Sequence, residues 1–76
     1  MPEKQPFGTF NVNDRVECTE QVSHYYGRHG IVIEKGPNRT RGLGKWMLRV
    51  RYDDGSEDRF DCTRSKTKRI WLRKAN

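Results

Sequence analysis

The residues best equipped for chemistry in this chain are its cations, and their spacing is uneven. From Lys35 to Arg51 there are six basic residues and no acid, and from Cys62 to Asn76 there are six more, again with no acid. The segment between them, Tyr52 to Asp61, holds five acids against the single Arg59. Two dense basic stretches flanking an acidic turn can converge on one face of a small fold, which is the electrostatic footprint of a polyanion binder. In the first stretch, glycines let the backbone lie close to a phosphate chain while Lys35, Arg39, Arg41 and Lys45 supply charge, the arginines through forked donor sets. Arg49 and Arg51 make a second group on one face of a strand, with Arg28 at the end of an earlier loop. Arg64, Lys66, Lys68 and Arg69 make a third. Each group has a plainer role to set beside it: a solvated linker, cross-strand pairing with Glu57 or Asp58, and a solvated connection.

Aromatic residues decide which nucleic acid such cations would suit. Tyr25 and Tyr26 fall in a loop, and Trp71 is expected to point away from Ile70 and Leu72, so each is a candidate to stack on an unpaired base. Stacking contributes roughly 1–3 kcal/mol per base, enough to turn a weak electrostatic site into a useful one. The competing role is to cap an open end of a small core, and Trp46 is assigned to the core.

Other chemistry finds little support. Ser23, Ser56 and Ser65 sit in no nucleophile elbow, and His24 and His29 have no context that marks a paired base, so no catalytic residue is expected and the protein is read as a non-enzyme. Cys18 and Cys62 form no Cys-x-x-Cys pair with which the histidines could build a zinc site, and they are expected to be reduced core thiols. The acids Asp53, Asp54, Glu57, Asp58 and Asp61 match no calcium-loop pattern. No metal, cofactor or small-molecule substrate is expected.

Length and composition bound what can position these groups. Seventy-six residues, 32% hydrophobic and 34% charged, allow one domain with a thin core. Met1 to Phe10 has no apolar run, so it reads as neither signal peptide nor membrane span; the expected location is cytoplasmic, nucleoid or nuclear, not secreted.

The elements expected are strands. Arg15-Val16-Glu17-Cys18 alternates after the Asn13-Asp14 turn, and Gly30 to Glu34 is a compact second strand whose glycine permits a close backbone approach. Trp46, Leu48, Val50 and Tyr52 share one face of a third, with Met47, Arg49 and Arg51 on the other. Asp53-Asp54-Gly55 is a tight-turn signal that returns Ser56 to Phe60 antiparallel, and Ile70 to Leu72 is the last strand. Val16, Val32, Leu48, Val50, Phe60, Ile70 and Leu72 should make one core.

This order is the layout of a five-stranded SH3-like barrel in an all-β fold, spanning residues 10–73, with residues 1–9 and 74–76 expected to be flexible ends. Asn13-Asp14-Arg15-Val16 followed by Tyr26-Gly27-Arg28-His29-Gly30-Ile31-Val32 resembles the KOW motif of transcription and ribosomal proteins. Tyr52-Asp53-Asp54-Gly55-Ser56 with Phe60 resembles the hairpin of Tudor-type barrels. The expected function is nucleic-acid binding, DNA or RNA, alone or inside a larger nucleoprotein, transcription or translation assembly. The alternative is a protein-interaction module, either an adaptor docking on an acidic protein or a Tudor-like reader in which Tyr25, Tyr26, Tyr52 and Phe60 enclose a methylated cation.

Overall fold

Alternation of apolar and polar residues produces strands almost wherever the sequence asks for them. In the computed structural model, which describes residues 4–37, 46–62 and 68–75, seven strands form. They are β1 (Gln5–Pro6), β2 (Arg15–Cys18), β3 (His29–Lys35), β4 (Met47–Tyr52), β5 (Glu57–Asp61), β6 (Arg69–Ile70) and β7 (Leu72–Lys74), with a single 3-10 turn at Phe7–Thr9. Five of them make one antiparallel sheet in the order β5-β4-β3-β2-β7, and β1 pairs with β6 as a separate ribbon. The fold is all-β among the described residues, and its main sheet is open between the edges β5 and β7.

The hairpin between β4 and β5 shows how local chemistry sets the register. Gly55 takes a left-handed conformation, φ +88°, and its amide donates to the Tyr52 carbonyl at 2.9 Å. The Asp54 carboxylate accepts from the Ser56 amide at 2.9 Å, closing an Asx turn. With the turn fixed, Leu48 lies opposite Phe60 and Val50 opposite Asp58. All seven residues expected in the core are there, joined by Phe7, Phe10, Cys18, Tyr52 and Cys62. Both thiols are free and buried. Gly30 lies against β4 so closely that a Cβ on it would sit 2.6 Å from the Arg51 carbonyl oxygen.

A bulge in β3 interrupts the register between Val32 and Glu34. One extra residue reverses the faces beyond it. Glu34 therefore lies opposite Arg49 and Lys35 opposite Leu48, although Lys35 would share the outer face with Ile31 in an unbroken strand.

Both ends expected to be flexible carry backbone pairing. At residues 5–9, β1 pairs with β6, the Phe7 amide donates to the Lys68 carbonyl at 2.7 Å, and Phe7 is 3% exposed. At the other end Lys74 pairs with Val16, and the Ala75 amide donates to the Arg15 carbonyl at 2.9 Å. A thin core recruits every large apolar group within reach, and Phe7 and Phe10 supply what the five central strands lack. Met47, expected beside the arginines on the outer face, is also buried.

Candidate functional site

Lys35, turned inward by the bulge, meets an aromatic pair at one end of the sheet. Phe7 and Trp46 pack edge to face, ring centroids 5.5 Å apart at 82°. The Lys35 ammonium lies 4.9 Å from the Phe7 ring centroid and the Lys68 ammonium 5.5 Å from that of Trp46. Backbone bonds hold this cluster. The Cys62 amide donates to the Trp46 carbonyl at 3.1 Å, the Cys62 thiol donates to the same oxygen at 3.2 Å, and the Gly36 amide donates to Met47 at 2.6 Å. The described chain on either side of 38–45 and of 63–67 therefore meets in one place. Arg39, Arg41, Lys45, Arg64 and Lys66, all expected as phosphate contacts, lie outside the described residues.

On the outer face of the sheet, the expected cationic surface is paired. Arg49 bridges Glu34 and Glu57, with its side chain 24% exposed, and Arg51 donates to Glu57 at 2.9 Å. The bonds from Arg49, and then those from Arg51, hold the Glu57 carboxyl below its ordinary range, while the Glu57 hydrogen bond raises the Arg49 guanidinium further. Arg28 pairs with Asp54 at 3.0 Å, and Glu17 accepts from Arg73 at 2.8 Å with His29 at 3.8 Å. The plainer of the two roles weighed for Arg49 and Arg51, cross-strand pairing with Glu57, is the one their geometry displays. Such exposed pairs contribute little to stability, but they do neutralise the face.

The aromatic candidates separate. Tyr25 stacks on Tyr52 with centroids 4.5 Å apart and planes 10° from parallel, so the two rings cover each other's faces. Tyr52 and Phe60 are buried and Tyr26 is 54% exposed. That arrangement is a packed stack rather than an open cage. Trp71 behaves differently: it is half-buried, beneath the Lys4 ammonium at 4.7 Å, in the wall of a slot of about 350 Å³ between β5 and β6. Phe60, Cys62 and Ile70 line the slot as well, and Arg59 and Arg69 bring charge to it. The Arg69 guanidinium donates to the Lys4 carbonyl at 3.3 Å.

Sequence reasoning missed Lys4, Phe7 and Arg59, while Trp46, assigned to the core, is partly buried against it. Phe7 and Phe10 were the available signal, two large apolar residues in an otherwise polar start. Among the described residues no three His, Cys, Asp or Glu side chains gather as metal ligands, and no helix is long and apolar enough to cross a membrane. Comparison with protein-family models, with curated proteins and with solved structures returns no match.

Proposed function

We propose that this chain is a nucleic-acid-binding domain without catalytic activity, engaging phosphates at the end of the sheet where Lys35 and Lys68 flank Phe7 and Trp46. One observation carries the reading. The Cys62–Trp46 backbone bond brings the start of the second acid-free basic run against the first, at a single edge. By sequence, the stretches 38–45 and 63–67 hold five cations and no acid, and Lys35, Lys68 and Arg69 add three more beside them. Phosphate neutralisation by clustered Lys and Arg supplies most non-specific affinity for nucleic acid. Arg49 and Arg51 take a secondary part in this reading, because Glu57 already balances them.

The same reading takes the fold as an SH3-like barrel related to KOW or Tudor-type domains. In support, β2 to β5 form a continuous antiparallel meander and the last strand returns to lie beside the first of them. A domain of this kind would work in the cytoplasm, nucleoid or nucleus, alone or within a nucleoprotein assembly. Binding to single-stranded and double-stranded DNA and RNA across a salt titration tests the proposal. Micromolar or tighter, salt-sensitive binding is expected, and no binding at low ionic strength overturns it.

A further inference from the structure

We infer that the slot between β5 and β6 receives one unpaired guanine base of a bound strand. The inference rests on the nucleic-acid reading above and gives it a base preference. Three features of the slot lead there. Its volume, about 350 Å³, lies at the small end of ligand pockets, which run from about 300 to 1,000 Å³, so it suits one ring system rather than a length of chain. Trp71 supplies a ring face whose present cover is the flexible Lys4 ammonium. A base can take that face while the ammonium moves to the flanking phosphate.

The third feature is a set of carboxylates and cations in a shared space. Glu20, Asp58 and Asp61 line the slot with Lys4, Arg59 and Arg69, and neither Glu20 nor Asp58 is ion-paired with any of these three cations. Among the described residues, the Asp58 carboxylate accepts the amide of Arg59 at 2.9 Å. Guanine presents two adjacent donors, N1–H and the N2 amino group, which a carboxylate accepts side by side. Adenine and cytosine place an acceptor next to their amino group, and uracil and thymine place two carbonyls around a single N–H. Each of these sets an acceptor against the carboxylate. Lys4, Arg59 and Arg69 are then placed for the phosphates on either side of the base.

An extended peptide added to the β5 edge is the competing occupant, and the edge is poorly prepared for it. The Arg59 amide, which would begin such a ladder, is already bonded to the Asp58 side chain.

The test uses the full chain and seven-nucleotide RNA and DNA strands, all uracil or all thymine, with the central base replaced by guanine, inosine or adenine, followed by fluorescence anisotropy at fixed low salt. Guanine at the centre should tighten binding about tenfold, the discrimination that a bidentate base contact supplies. Inosine, which lacks only the N2 amino group, should lose most of that gain without any change to the protein. The double variant Glu20→Gln, Asp58→Asn should erase the guanine preference, so that guanine-centred and all-pyrimidine strands bind alike. An equal gain in RNA and DNA places recognition in the base alone, and a gain in RNA only adds the 2′-hydroxyl to the slot's contacts. Equal affinity for every strand overturns the guanine slot while leaving nucleic-acid binding intact. No binding to any strand overturns both, and tryptophan fluorescence that responds to a lysine-rich decapeptide but to no strand assigns the slot to peptides instead.

Discussion

The amide of Cys62 donates to the carbonyl of Trp46 at 3.1 Å, and that bond joins the last described residue before one basic stretch to the first described residue after the other. The residues are 16 apart in sequence, and the β4–β5 hairpin brings them together. An acidic turn lies at the far end of the same hairpin. The acidic turn and the Lys35–Lys68 pair thereby lie at opposite ends of the hairpin, with Asp53 and Asp54 at one end of the strands and Lys35 and Lys68 at the other.

If phosphates bind at the Lys35–Lys68 end, neutralising those two side chains should change the salt dependence. The combined change Lys35→Gln and Lys68→Gln is expected to lower the slope of log affinity against log salt by about 1.4–1.8, at about 0.7–0.9 per lost contact. Arg51→Gln should leave the slope nearly unchanged, because Glu57 already holds that guanidinium at 2.9 Å. The reverse ranking would move the interface to the outer face of the sheet.

The central strands were legible because a buried face writes itself into the sequence with a period of two. Val16, Leu48, Val50 and Leu72 needed only that pattern and the Asp-Asp-Gly turn. The role of Phe7 was not legible, since its partners lie at residues 68–70 and no local spacing announces a contact across the whole chain. The inward turn of Lys35 depends on a bulge at Ile33 that leaves no residue signature. The site followed the same division. Charge density located the basic runs, but the pairing of Arg49 with Glu34 and Glu57 required the register, and register comes from tertiary structure.

Gly30 is the position where the sheet has least room. A methyl group there would meet the Arg51 carbonyl at 2.6 Å and Val50 Cγ1 at 2.8 Å, and a backbone oxygen in a paired strand cannot yield cheaply. Gly30→Ala should therefore cost about 1–3 kcal/mol in urea unfolding, as overpacking commonly does. Val50→Ala, at a position that is 0% exposed, should cost a similar amount through lost burial. A Gly30→Ala protein as stable as the parent would show that β3 and β4 are further apart than described.

Among the described residues the buried Tyr52 hydroxyl has no well-formed hydrogen bond, and its weak contact with the neighbouring Cys18 thiol helps raise the phenol's pKa. Burial is the main cause of that rise above the ordinary 10.0, and burial likewise raises the Cys62 thiol above 9.0. Both groups are acids whose neutral form is favoured in the folded state. Their contribution to stability is complete below the ordinary values and is lost as pH climbs past about 9–10. Tyr52→Phe should equal the parent at pH 7 or exceed it by up to about 1 kcal/mol, since it removes an unsatisfied polar group and keeps the ring on Tyr25. Its urea midpoint should also fall less between pH 9 and 11. Parallel curves for the two proteins would show that the hydroxyl is solvated.

On the acid side the sign reverses. Hydrogen bonds from Arg49 and then Arg51 depress the Glu57 carboxyl from 4.5, and the Ser56 amide foremost depresses that of Asp54 from 3.8. A depressed carboxyl stabilises the fold above its ordinary value, and that contribution disappears as pH falls through the folded one. The parent should therefore lose stability progressively below about pH 4.5. Glu57→Gln removes the larger partner of two arginines and leaves Arg49 opposite Arg59 with one carboxylate fewer between them. That variant should be less stable than the parent at pH 7, with a shallower decline toward pH 3, so the two curves converge. High salt should narrow the gap at neutral pH, because the pairs it concerns are at the surface. Urea midpoints measured from pH 3 to 7 check this. A gap that persists unchanged at pH 3 would mean that Glu57 supports the hairpin by packing and not by its charge.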